Sequence, residues 1–158
     1  MVKLICGIIL MLIAFYGGYC VDKYYKGRVG LISDFKRFLL FAGREARYLK
    51  TDIFTVINGY ESSSRLKGIL QKIKDGAEKG EKIEITEPLL RKNEKEQMSE
   101  FFTRLFTADG ATSEKVFKKS CEEFNDIETA AIAEKKNKGE LWKKLLILFG
   151  VAVLILCI

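Results

Sequence analysis

The chain has no histidine at all, a single proline, and four cysteines among its 158 residues. Without an imidazole there is no Ser-His or Cys-His couple, no His-ligated metal and no histidine switch near neutral pH. Cys6, Cys20, Cys121 and Cys157 share no C-x-x-C spacing, which argues against zinc and against a disulfide framework. A phosphate loop is missing too: Gly76 and Gly80 are not followed by the Lys and Ser or Thr that such a loop places at a strand-to-helix turn. Carboxylates are plentiful, but Glu122 with Glu123, or Glu94 with Glu96, face apart on a helix and cannot work as a catalytic pair. Cys121, between Phe117 and Phe124 on an apolar stripe, reads as a small core residue rather than a nucleophile. The sequence is therefore expected to encode no enzyme and to need no cofactor or metal.

What is present is segregated. All 21 acids and 26 of the 27 bases lie between Asp22 and Lys144. Leu4 to Val21 is an uncharged run of 18 residues, about 27 Å long as a helix, against a hydrocarbon core of roughly 30 Å. A cleaved signal peptide requires small residues before the cut, and Tyr19 ahead of Cys20 suits neither that nor a lipoprotein signal. At the other end, Leu141 to Ile158 holds twelve Leu, Ile, Val and Phe residues, which favour insertion by about 4 to 7 kcal/mol. Lys143 and Lys144 can snorkel to the interface. The expectation is a transmembrane helix over 1–21, a helical domain over 22–140 and a second transmembrane helix over 141–158. Lys23, Lys26, Trp142, Lys143 and Lys144 would mark the membrane interface. Bases crowd the inner flanks of both runs, so the middle is expected in the cytoplasm.

Between the runs the apolar spacing is helical. Leu31, Phe35, Phe38, Leu39, Ala42, Ala46 and Leu49 form one stripe, with Gly27 and Gly30 leaving either a bend or a continuous helix open at its start. A short segment carries Ile53, Val56, Ile57 and Tyr60; the serines at 62–64 then offer a cap to a helix striped by Leu66, Ile69, Leu70 and Ile73. Thr86, Glu87 and Pro88 read as a helix start, leading to Met98, Phe101, Phe102, Leu105 and Phe106. After Asp109 and Gly110 a last pattern, recapped at Thr112 or Ser113, runs to the C-terminus, with a flexure at Lys138 and Gly139. The fold class is all-α, an antiparallel bundle of about six helices.

The net charge of +6 raises a nucleic-acid or lipid-binding alternative. Nucleic-acid binders interleave bases with stacking aromatics; here the aromatics sit on buried stripes and the bases flank the apolar runs, so anionic lipid is the better partner and no nucleic acid is expected. Self-association of the spans stays open, although Gly7, Gly17 and Gly18 give no small-x-x-x-small pair among themselves.

The order of parts resembles one family. A Lys-Leu opening at Lys3 and Leu4, Arg28 soon after the first run, a Leu- and Phe-striped helix holding Glu45 and Tyr48, and the closing stretch from Asn137 through Lys144 into an apolar end resemble stage III sporulation protein AB over essentially the full length. The resemblance implies a soluble part similar to the cytoplasmic domains of the type II secretion F protein, the inner-membrane platform of type II secretion and type IV pili. It implies a place in the mother-cell membrane facing the forespore, within the stage III sporulation complex. Its expected partners are an ATPase similar to stage III sporulation protein AA and the complex's other membrane proteins. Arg28, Arg44, Glu45 and Arg47 are the candidate docking residues. A generic membrane-anchored helical adaptor is the alternative.

Overall fold

A computed structural model describes residues 2–49, 53–81, 83–107 and 110–157, with side chains at all of these except 2–4, 47–49, 110–112, 154 and 157. Among the described residues the regular structure is helical throughout, with no strand. The elements are α1 (Val2–Leu49), α2 (Ile53–Gly59), α3 (Ser64–Glu78), α4 (Lys92–Thr107), α5 (Gly110–Glu134), a π-helical turn (Lys135–Gly139) and α6 (Glu140–Cys157).

α1 settles the alternative at Gly27 and Gly30 in favour of continuity, for it runs 48 residues without a break. Two glycines at about 1 kcal/mol each are outweighed by the burial of the side chains around them. One seam follows the helix along alternating steps of four and three residues: Gly7, Met11, Ala14, Gly18, Val21, Tyr25 and Arg28, then Ile32, Phe35, Leu39 and Ala42, all buried or half-buried. This is the spacing by which a helix keeps one side turned to its partners. Small residues dominate the first part of the seam and large ones the second.

The chain divides into two compact units, Met1–Val29 with Ala130–Ile158, and Gly30–Thr129. In Gly30–Thr129 the core is aromatic. Phe35, Phe38, Phe102 and Phe124 are fully buried, and the Phe35 ring lies 4.7 Å from Phe124, 5.9 Å from Phe101 and 6.0 Å from both Phe38 and Phe102. Val56 and Ile57 from α2, Leu66, Ile69, Leu70 and Ile73 from α3, and Met98 and Leu105 from α4 complete it.

Local chemistry sets the ends of these elements. Ser63 caps α3 by accepting from the Leu66 amide, as its serines predict. α3 runs through Gly76 to Glu78, and the turn that follows it reaches Gly80, at φ 69°. There the Glu81 and Gly80 amides donate back to Gly76 and Ala77 oxygens, the crossed pattern that a left-handed glycine permits. The helix expected at Thr86, Glu87 and Pro88 begins later, at Lys92. Glu94, buried at 1% exposure, accepts from the Arg91 amide at 2.8 Å, so an acid three residues into the helix closes its first turn. The segment before it is held by Ser99, whose hydroxyl donates to the Ile83 carbonyl.

Met1–Val29 with Ala130–Ile158 is an antiparallel hairpin. Gly150 sits against Ala14 and Met11, Gly18 against Lys143 and Ile147, Gly17 against Leu146, and Gly139 against Tyr25. A Cβ on Gly150 would come within 2.9 Å of the Ala14 Cβ. The backbones thus approach as closely as small residues allow. The pairing Ala14-x-x-x-Gly18 belongs to this seam; searching the glycines alone misses it. The flexure expected at Lys138 and Gly139 is the π turn itself, where the Glu140 amide donates to the Lys135 carbonyl.

Candidate functional site

The hairpin inverts the usual distribution of a soluble protein. Its closest approaches are made at glycines and Ala14, whereas its outward positions are large and apolar: on α1, Ile9, Leu12, Ile13 and Tyr16, and on α6, Leu148, Phe149, Ile155 and Leu156 at 66–86% exposure. Water penalises that arrangement and lipid does not. Among the described residues, one helix is long and apolar enough to cross a membrane: α1, near the N-terminus.

A polar collar closes the hairpin at Asp22 to Arg28 and Glu134 to Lys144. Lys23, Lys26, Trp142, Lys143 and Lys144 are all exposed. Lys26 pairs with Asp22 at 2.6 Å. Arg28 behaves otherwise. It is 3% exposed and its guanidinium donates to Glu134 at 2.7 Å, while Lys138 approaches the other oxygen of that carboxylate at 3.0 Å. The structure thus places this candidate docking residue inside the hairpin, where its charge is spent on a partner 106 positions away. Glu134 is the residue that sequence reasoning missed; helical spacing carries no signal for so distant a pairing.

Within Gly30–Thr129 the remaining docking candidates lie at the C-terminal end of α1. Arg44 is exposed and Glu45 half-buried, and the side chain of Arg47 lies outside the described residues. Arg44 stands at the edge of a groove of about 520 Å³ between α1 and α5. Leu39, Gly43, Phe117 and Cys121 supply apolar lining, and Lys36, Arg44, Lys118 and Glu122 supply charge. Gly43 lets the helices approach here, since a Cβ would meet the Phe117 side chain at 3.4 Å. Lys36 is tied down: its ammonium donates to Asn125 and to Glu128, both at 2.8 Å. That hydrogen bond holds the Glu128 carboxyl below its ordinary range. Burial pushes the Cys121 thiol up, the direction that disfavours a thiolate. No cluster able to hold a metal ion occurs among the described residues.

One family model, described as stage III sporulation protein AB, matches the chain over residues 3–158. The chain belongs to the stage III sporulation protein AB family. That membership gives it a sporulation role and accounts for the full length rather than for a motif. No curated protein matches the chain, nor does any solved structure.

Proposed function

We propose that the protein is a non-enzymatic membrane platform of the stage III sporulation apparatus. Both ends lie in the mother-cell membrane facing the forespore, and the helical body is held on the cytoplasmic side, similar to the type II secretion F domains. The observation that carries this reading is the inside-out hairpin: large apolar side chains outward, small residues in the seam, and lysines collected at the end where the polar body begins. Charge supports the orientation, because Lys23, Lys26, Lys143 and Lys144 stand on the side that positive residues occupy in the cytoplasm.

In this reading the helical body docks a cytoplasmic secretion-type ATPase, similar to stage III sporulation protein AA, through the end of α1 that bears Arg44 and Glu45, beside the apolar groove. An apolar floor with charges around it is the composition of a recognition surface, where the floor gives affinity and the rim gives register. Arg28 takes no part, since it is buried. The test is capture of the ATPase by the full chain in mild detergent. The expected result is retention that survives nuclease treatment and falls at least tenfold when Arg44→Glu and Glu45→Lys are combined. No capture by the full chain, in detergent or in vesicles, refutes the docking role and leaves the membrane architecture to be judged by alkaline extraction.

A further inference from the structure

The outward side of the hairpin near its collar carries a second depression, separate from the groove beside Arg44. It measures about 430 Å³ and is made by the π turn and the first half of α6. Its lining opens on Lys136 and Asn137, sets Leu141 between Glu140 and Lys144, and closes on Leu145 and Leu148. We infer that this depression binds one anionic phospholipid of the bilayer, with the phosphate at Lys136 and Lys144 and the upper part of an acyl chain on the three leucines. The inference rests on the membrane reading above and adds a ligand to it.

Three observations point to that occupant. The first is order: polar groups begin at Lys136 and give way by Leu148 to side chains 48–69% exposed, the sequence of headgroup, glycerol and chain met on entering a leaflet. The second is charge. Glu140 lies between the two lysines at four-residue steps, yet among the described residues it forms no salt bridge with either, so the polar end carries two cations against one anion and favours an added negative group. The third is the apolar strip, which gives an acyl chain a contact that a free phosphate ion cannot use. The inner side of the same turn is already taken, because Gly139 packs on Tyr25; the face described here is the one left for lipid.

The single tryptophan, Trp142, adjoins the site and is 54% exposed, so it reports on the lipid beside it. The full chain is placed in phosphatidylcholine vesicles containing about one lipid in ten as chain-brominated phosphatidylglycerol, or the same fraction of brominated phosphatidylcholine. Stronger quenching by the brominated anionic lipid is expected. Combining Lys136→Gln with Lys144→Gln should weaken that preference roughly ten- to thirtyfold, at about a factor of five per lysine near an anionic surface. Glu140→Gln should strengthen it, a gain that misfolding does not produce. Combining Lys115→Gln with Lys119→Gln, on α5, should leave it unchanged, and inorganic phosphate in excess should not displace the lipid. Equal quenching by the two brominated lipids, an unaltered preference in the Lys136 and Lys144 variant, or displacement by phosphate overturns the inference. Absence of quenching by either lipid would show that α6 lies outside the bilayer, which overturns the membrane reading as well and is distinguishable from the other results.

Discussion

Replacing Arg28 by methionine removes one half of an ion pair that water barely reaches. The guanidinium is 4% exposed, the Glu134 carboxylate 11%, and the two are 2.7 Å apart. Removing one partner from a buried pair destabilises by about 3–5 kcal/mol, chiefly because the other charge is left behind in a poorly solvating place. Here Lys138, 3.0 Å from Glu134 and itself 64% exposed, can take over part of the compensation, so the low end applies, about 3 kcal/mol. For a chain of this length each kcal/mol moves the thermal midpoint by about 2–4 °C, giving a fall of roughly 6–12 °C. Combining Arg28→Met with Glu134→Met removes both charges and fills the space with apolar atoms, and should return stability to within about 1 kcal/mol of the parent. Thermal unfolding of the full chain in mild detergent, followed by circular dichroism, measures all four members of the cycle. Strictly additive losses would refute the reasoning, since they would mean that the two side chains do not depend on each other.

Two glycines should respond in opposite directions. Gly150→Ala forces a Cβ to within 2.9 Å of Ala14 and should lower stability by about 1–3 kcal/mol. Gly30→Ala meets nothing within 4 Å in mid-helix and should raise it by about 0.5–1 kcal/mol, both read from thermal midpoints in the same detergent. The pair of Lys36 and Glu128 should make stability pH-dependent. The Glu128 carboxyl is held below its ordinary value of 4.5 by the Lys36 hydrogen bond, so its contribution is complete above that value and is lost as pH falls through the lower folded one. The parent's advantage over Lys36→Gln, within about 1 kcal/mol at pH 7, should therefore vanish in denaturation curves taken well below pH 4.5. An advantage that persists in acid would contradict the assignment.

The periodic part of this fold was legible in the sequence, because burial on one side of a helix leaves a pattern that needs no partner to be read. Leu31, Phe35, Phe38, Leu39 and Ala42 on α1, and Leu66, Ile69, Leu70 and Ile73 on α3, are core residues where their spacing puts them. Helix ends were legible where one side chain decides them, as at Ser63. Pro88 misled because a residue tolerated in a first turn does not itself start one; the deciding group is Glu94, which turns back to the Arg91 amide. The placement of the candidate docking residues was the least legible. Arg28 looks like any base beside an apolar run, and only the return of the chain through Glu134 shows that it belongs inside. The alanine at position 14 was equally silent, as its smallness matters only because Gly150 comes to rest on it.

The wide turn at Lys135–Gly139 has a consequence for angular phase. Inward residues on α5 recur every seventh place, at Phe117, Phe124 and Ala131; extended without interruption, that rhythm would point Lys138 inward. The buried residue is instead Gly139, and Lys138 is exposed. The π turn accommodates one residue more than an α turn would, and so works as a phase shifter that delivers a glycine, rather than an ammonium group, to the ring of Tyr25. Deleting one residue from 135–138 lets the turn close as a regular α turn with the glycine still at the inward place, whereas inserting one more there as ordinary helix would rotate everything beyond it by about 100°, carrying Gly150 away from Ala14 and presenting leucines to a seam with no room for them.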